Sequence, residues 1–187
     1  MIHVWSPVRP DRMTDLQPTL AGALVRLRPL RADDHDALLA VAADPRIWAQ
    51  HPAHDRWRPE VFRSYFDTNL ASGGGLVVHD ATSGAIIGAT RFNGHDAARR
   101  EVEIGWTFLA RSHWGGAHNA EMKRMLLDHA FGFVDTVFFT IGPDNVRSRR
   151  AVEKLGAVYV GDVVNVDGRA SVRYELSKAV HASRRDA

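Results

Sequence analysis

Three groups of residues in this 187-residue chain have the types and spacing for chemistry. The first is Trp114-Gly115-Gly116-Ala117, followed by His118 and Asn119, lying between an apolar strand and a helix. Glycines at such a junction let a ligand approach the backbone. The helix start supplies unpaired N–H groups and the positive end of the helix dipole, which suits a phosphorylated ligand. The second group is Asn145 and Ser148 at the entrance of another helix, one strand further on. Two helix starts on neighbouring strands point to a nucleotide-type cofactor lying across the sheet. The third is Glu103, on the strand that leads into the glycine turn. It reads either as a solvated residue sharing a strand face with Glu101, or as a general base acting through water.

The elements that must position these residues follow from pattern. Leu24 to Leu30 alternates apolar with arginine and predicts a strand. Asp33 is placed to cap a helix through Ala43 that Pro45 stops, and Pro59 opens a helix to Leu70 that Gly73-Gly74-Gly75 ends. Leu76–His79 and Ala85–Asn93 are strands joined around Ser83-Gly84, and Glu101–Ala110 is a third. Met122, Met125, Leu126, Ala130 and Phe133 give helical spacing over Ala117–Phe133. Thr136–Ile141 is a buried strand, and Asn145–Leu155 a helix closed by Gly156. Val158–Val166 and Ala170–Leu176 form a hairpin across Asp167-Gly168. The order predicts an α/β fold with a mixed, mostly antiparallel central sheet flanked by helices, and not the repeating βαβ of a dinucleotide fold. Residues 1–18, with Pro7, Pro10 and Pro18, read as a mobile extension in which Met13 is a candidate start. Residues 19–178 read as one domain, and 179–187 as a basic, solvated tail.

Composition narrows the function. A 45% hydrophobic chain of this length buries one core. The absence of cysteine excludes disulfides, thiolate metal sites and a cysteine nucleophile. Twenty-four Lys and Arg against 22 Asp and Glu leave a net charge of +2, which does not mark a nucleic-acid binder. Apolar runs are too short to span a bilayer, and the N-terminus has no basic-led apolar block, so neither membrane insertion nor a signal peptide is expected and the location reads as cytoplasmic. Of the ten histidines, His51 and His54 have Pro52 between them and no carboxylate set to complete a site, so no metal is expected. His113 and His118 are expected to contact cofactor or solvent, and Arg147, Arg149 and Arg150 to form a solvated helix face. Trp48, Trp57, Phe62, Tyr65 and Phe66 read mostly as core.

Over about Thr19 to Ser177 the chain resembles the GNAT superfamily of acyl-CoA-dependent N-acetyltransferases, in the branch of the ribosomal-protein N-terminal alanine acetyltransferases. The likeness rests on Ser112-His113-Trp114-Gly115-Gly116-Ala117 with Glu121, which matches the family's pyrophosphate loop. It rests also on Asn145, Ser148 and Glu153-Lys154-Leu155-Gly156, which match its second motif. Ser112 stands where the family usually has Arg or Gln. Val152 stands where many members carry a tyrosine that protonates the departing CoA thiolate.

The resemblance implies acetyl-CoA as co-substrate without a metal, a primary amine of a small molecule or peptide N-terminus as acceptor, and no nucleic-acid or membrane partner; it leaves a homodimer open. It implies cofactor contacts from Gly115, Gly116, Ala117, His118, Asn119, Asn145 and Arg150, and from the backbone of Phe108, Leu109 and Ala110, one of whose amides would polarise the thioester carbonyl. Glu103 would be the base. Ser148 is either a local helix cap or surface serine, or the acid that replaces the tyrosine. Asn145 is an N-cap, a contact to the pantetheine arm, or both, and Trp57 or Phe62 would line the acceptor groove. A fold that binds acyl-CoA without turnover is the alternative.

Overall fold

Alternation along the strands builds two cores on opposite faces of one sheet. In the computed structural model, which describes residues 14–185, Leu76 and Val78 join one core while Val77 joins the other. They lie on β3 (Gly75–Asp80), which is therefore buried on both faces. The full set is β1 (Leu20–Ala21), β2 (Val25–Pro29), β3, β4 (Ile86–Asp96), β5 (Glu101–Leu109), β6 (Thr136–Ile141), β7 (Val158–Val164) and β8 (Ala170–Ser177). The helices are α1 (His35–Ala42), α2 (Pro59–Ala71), α3 (Ala117–Ala130), α4 (Val146–Lys154) and α5 (Lys178–Arg185). The strands pair in the order β1-β2-β3-β4-β5-β6-β8-β7. Among the described residues only β5 and β6 run parallel, joined by the α3 crossover that a parallel pair requires. The mixed, mostly antiparallel sheet expected from the sequence is what forms.

One face of the sheet carries α1 and α2 through Leu38, Phe62, Tyr65 and Phe66, with Trp48 from the segment between the two helices, packed on Val77, Ala89 and Phe108. The other carries α3 through Met122, Leu126, Leu127 and Ala130, three and four residues apart, with Val152 of α4 beside them. Complete burial of a side chain such as Phe62 is worth about 1.5–3 kcal/mol, so these stripes decide which face each helix presents.

Several expectations need correction. Residues 1–13, including the candidate start at Met13, lie outside the described residues. The next few are docked, because Gln17 Nε2 donates to the Gly75 carbonyl at 3.2 Å and Leu16 packs against the core. Asp34, not Asp33, serves the entrance to α1. It accepts from the Arg31 N–H and pairs with Arg28 at 2.7 Å, where Asp33 stays exposed. The basic tail is helical as α5, held where His181 and Arg185 both meet Asp128, at 2.7 and 2.8 Å.

Candidate active site

β5 and β6 pair only over Glu101–Glu103 against Thr136–Phe138, although both strands continue past that point. Beyond Glu103 they part. A bulge in β5 accompanies the opening, with Trp106 and Thr107 together facing Thr90 of β4. Trp106 takes φ +50°, a conformation disfavoured for a bulky residue. Three contacts hold it there. Tyr65 donates its hydroxyl to the Trp106 carbonyl at 2.6 Å, the Arg91 guanidinium lies 3.3 Å from its ring centre, and Thr107 bonds Thr90 at 2.8 Å.

A cavity of about 310 Å³ sits at the split, lined by Glu103, Trp106, Thr140, His51, Arg56 and the β7–β8 hairpin. Glu103 is only 5% exposed and accepts from Asn93 Nδ2 at 3.3 Å. Burial pushes its carboxyl above the usual glutamate range, against the hydrogen bonds of Thr140 and Asn93 and the charge of Arg91. The reading of a solvated strand glutamate is thus excluded. Glu101, its supposed companion, is buried too and tied to Arg173 at 2.7 Å. His51 is held neutral, with a pKa lowered to about 3 by burial and by Arg56, and it accepts from the Ala53 N–H at 2.9 Å.

At the far end of β5 the glycine turn has the expected form. Gly115 takes φ +68° with nothing within 4 Å of a built Cβ, so the backbone there is both left-handed and open. Gly116 stands at the N-cap of α3, and among the described residues no side chain caps that helix, which leaves its first amides for a ligand. Trp114 donates Nε1 to the Leu109 carbonyl at 2.9 Å and stacks under the Arg147 guanidinium at 4.0 Å, fixing the turn to β5 and to α4. Of the three backbone positions expected near a thioester, the Ala110 N–H is already spent on the Ile87 carbonyl at 2.7 Å. Strand alternation turns the Leu109 N–H the opposite way, toward the gap. The side chains of Phe108 and Leu109 belong to the two cores.

At the α4 entrance, Asn145 is an N-cap that accepts from the Ser148 N–H at 3.2 Å, and it is 6% exposed. Ser148 is half-buried in the first turn, and Val152 is core. The arginines are not one solvated face. Arg147 reaches the Ile47 carbonyl at 2.9 Å, and Arg149 reaches Tyr174 Oη and the Pro143 carbonyl at 3.0 Å each; Arg150 alone is exposed. Neither Trp57 nor Phe62 lines the cavity. Phe62 is fully buried in the helical core, and the aromatic walls are Trp106 and Phe138.

Two residues of α3 do more beneath this site than their sequence context conveys. Glu121, which the sequence marks only as part of a motif, accepts backbone N–H bonds from Ala23, Leu24 and Val25 at 2.7–3.0 Å, pinning the β1–β2 turn to α3. Lys123, which sequence reasoning passes over, points from α3 under the bulge, donates to Thr107 Oγ1 at 2.9 Å, and lies over the Phe139 ring. Burial drives its pKa from 10.5 down to about 7. A signal is present, since Lys123 shares its spacing with Leu126, Leu127 and Ala130 on the buried face.

Residues 25–158 match the family model of the acetyltransferase (GNAT) domain. No curated protein sequence matches. Among solved structures, a protein of T. thermophilus assigned as an acetyltransferase is 28% identical, with 90% of this chain and 95% of that one covered at a TM-score of 0.71. Mycobacterium smegmatis RimJ in complex with CoA-disulfide is 23% identical, with 83% and 82% covered and a TM-score of 0.64. Spermidine N-acetyltransferase from Vibrio cholerae, in complex with CoA and spermine, is 16% identical, with 86% and 99% covered and a TM-score of 0.66. The last two share the fold.

Proposed function

The chain belongs to the GNAT acetyltransferase family and is an acyl-CoA-dependent N-acetyltransferase, and we propose that it transfers acetyl from acetyl-CoA to a primary amine by direct attack. The observation that carries this reading is the buried carboxylate of Glu103 lining a cavity where β5 and β6 part, one strand-length from an uncapped helix start. The uncapped amides of Ala117, His118 and Asn119, with the open Gly115-Gly116 backbone, suit a pyrophosphate. Asn145 at the second helix entrance and exposed Arg150, a turn further along α4, stand for the rest of the nucleotide arm. The gap between the strands exposes backbone groups of β5 that an extended amide chain can pair with. Bound acetyl-CoA supplies the activated acetyl group.

Within that frame the acceptor amine enters the 310 Å³ cavity, and Glu103 takes its ammonium proton, directly or through a water. The raised proton affinity of Glu103 suits a group that must hold a proton after taking it. The Leu109 N–H polarises the carbonyl under attack. The Ser148 hydroxyl gives a proton to the departing sulfur, a light task because a thiolate leaves readily, and recovers it through solvent from the second proton that the attacking nitrogen sheds as the amide forms. Much of the rate comes from holding amine and acetyl group in line. Both a protein N-terminus and a small-molecule amine fit this chemistry.

Thiol release measured with acetyl-CoA across a panel of peptides, polyamines and amino-acid amines tests the proposal, with mass spectrometry of an acetyl-CoA-treated cell extract to find the acceptor. Amine-dependent thiol release and a product heavier by one acetyl group are expected. Absence of both, from protein that still binds acetyl-CoA, would refute it.

A further inference from the structure

Asp80 closes β3 and is anchored through one of its oxygens. Its Oδ1 accepts from the backbone N–H and the hydroxyl of Ser83, both at 2.7 Å. Its Oδ2 faces the β5–α3 turn, where His113 Nε2 lies at 3.7 Å and His118 Nε2 at 3.5 Å. The two imidazoles stand edge to face, 4.8 Å between ring centres. The carboxylate oxygen and one nitrogen of each histidine all lie within 4.8 Å of one another.

These distances are too long for direct hydrogen bonds. They are close to the separation of donors around a small cation: four ligands at about 2.0–2.1 Å in a tetrahedron sit roughly 3.3 Å apart. We propose that Asp80, His113 and His118 bind one divalent transition-metal ion, zinc being the best match. Two imidazoles and a carboxylate, with no thiolate in the chain, form a donor set that suits zinc, and three protein ligands leave one position for water or an anion. The outer contacts are also in place. Ser112 Oγ lies 3.0 Å from His113 Nδ1, where it orients the ring so that Nε2 faces inward, and Ser83 fixes the Asp80 carboxylate.

The ion would join two segments that are 33 to 38 residues apart in sequence. One is the β3–β4 turn. The other is the turn containing Gly115 and Gly116, because His113 precedes those glycines and His118 follows them. A metal there would clasp both ends of a turn that Trp114 already ties to β5 and α4, adding a tie to β3. The inference does not depend on the acetyl-CoA reading, since chelation needs only the protein.

The test uses tag-free, full-length protein stripped with EDTA and titrated with Co²⁺ alone, then with Zn²⁺. The expected result is one equivalent of Co²⁺ bound with visible absorption of a four- or five-coordinate ion, its displacement by one equivalent of Zn²⁺, and a higher melting temperature with Zn²⁺. Asp80→Asn keeps an oxygen for Ser83 yet removes the charge, and the pair His113→Gln and His118→Gln removes both nitrogens. Each should weaken Zn²⁺ binding by roughly a hundredfold or more. The ligands are partly exposed, so the variants should fold, which circular dichroism verifies; the wild-type Co²⁺ spectrum reads the donor set independently. Failure of the wild-type protein to retain one Zn²⁺ per chain after desalting overturns the proposal, as does unchanged affinity in the folded variants.

Discussion

Lys123 sits in the apolar layer between α3 and the bulge of β5, and its protonated form is costly there. Moving its proton affinity from 10.5 to about 7, at about 1.4 kcal/mol per tenfold change, disfavours the charged amine by about 5 kcal/mol in the folded chain. The folded pKa is below the unfolded one, so between pH 7 and 10.5 the unfolded chain binds the extra proton and stability rises with pH. Below pH 7 the full cost applies; above 10.5 it is gone. Lys123→Met removes the charge, keeps the length, and packs a thioether on Phe139. Thr107 keeps its bond to Thr90, so no hydroxyl is stranded. In urea unfolding at about pH 6.5 the variant should exceed the wild type by several kcal/mol, up to about 5. The difference should narrow to about 2 kcal/mol at about pH 9 and continue to fall toward about pH 10. A difference that is constant over this range would show that packing, not ionisation, sets the effect. A variant less stable than the wild type at every pH would refute the account, because it would mean that the ammonium is welcomed by the site.

The remaining expectations concern the reaction. Glu103→Gln should reduce turnover most in the pH range above the titration of the Glu103 carboxyl and below that of the acceptor amine, where the base is ionised and the amine is still protonated, with the defect shrinking as free amine accumulates; an equal defect in the whole pH–rate profile would assign Glu103 a structural role. The wild-type rate should rise with pH through a carboxyl pKa above the ordinary glutamate value, and that inflection should be missing in the variant. Gly115→Val forces a branched side chain into φ +68°, costing about 1–3 kcal/mol locally, and should abolish the melting-temperature gain from acetyl-CoA without unfolding the protein; normal acetyl-CoA binding would remove the turn from the cofactor site. Ser148→Ala should slow saturated turnover roughly a hundredfold with little change in acetyl-CoA affinity, and a wild-type rate would mean that water protonates the sulfur.

What the sequence made legible is what local physics governs. Asp167-Gly168 predicted a hairpin, and Gly168 does take φ +74° there, with Asn165 Oδ1 accepting the N–H groups of Asp167 and Arg169. Gly156, expected to close α4, takes φ +96°. The helix α3 was visible because its apolar residues repeat at three and four. Two-residue β1 escaped because it is too short to show alternation, and α5 because its polar sequence is ordered by a distant partner, Asp128. The site divides in the same way. Gly115, Gly116 and Asn145 owe their form to backbone conformation and capping, which neighbouring residues reveal. Asp80, 33 residues before His113, could not be linked to it without the sheet order. For Phe62 the sequence leaves two readings, because an aromatic at helical spacing does not say whether it faces a cavity or a core; the core reading holds, and the groove lining implied by the resemblance does not.

The shape of the site comes from β5 serving different partners along its length. It pairs in parallel with β6 through Glu103, then bulges against β4 and ends in the turn that starts α3. A bulge bends its strand, so the local distortion at Trp106 and Thr107 is what can swing the second half of β5 away from β6. A non-glycine residue at φ +50° costs about 1–3 kcal/mol and persists only if its surroundings enforce it. Here they act from both layers. Tyr65 of α2 bonds the Trp106 carbonyl from one face of the sheet, and Lys123 of α3 bonds Thr107 from the other. The gap is therefore held open by the same two helices that bury the cores, before any ligand arrives. This preorganisation accounts for a lysine kept where it is destabilising: its amine secures the bulge that the tryptophan conformation requires, and its cost falls on stability instead of on the geometry of the gap.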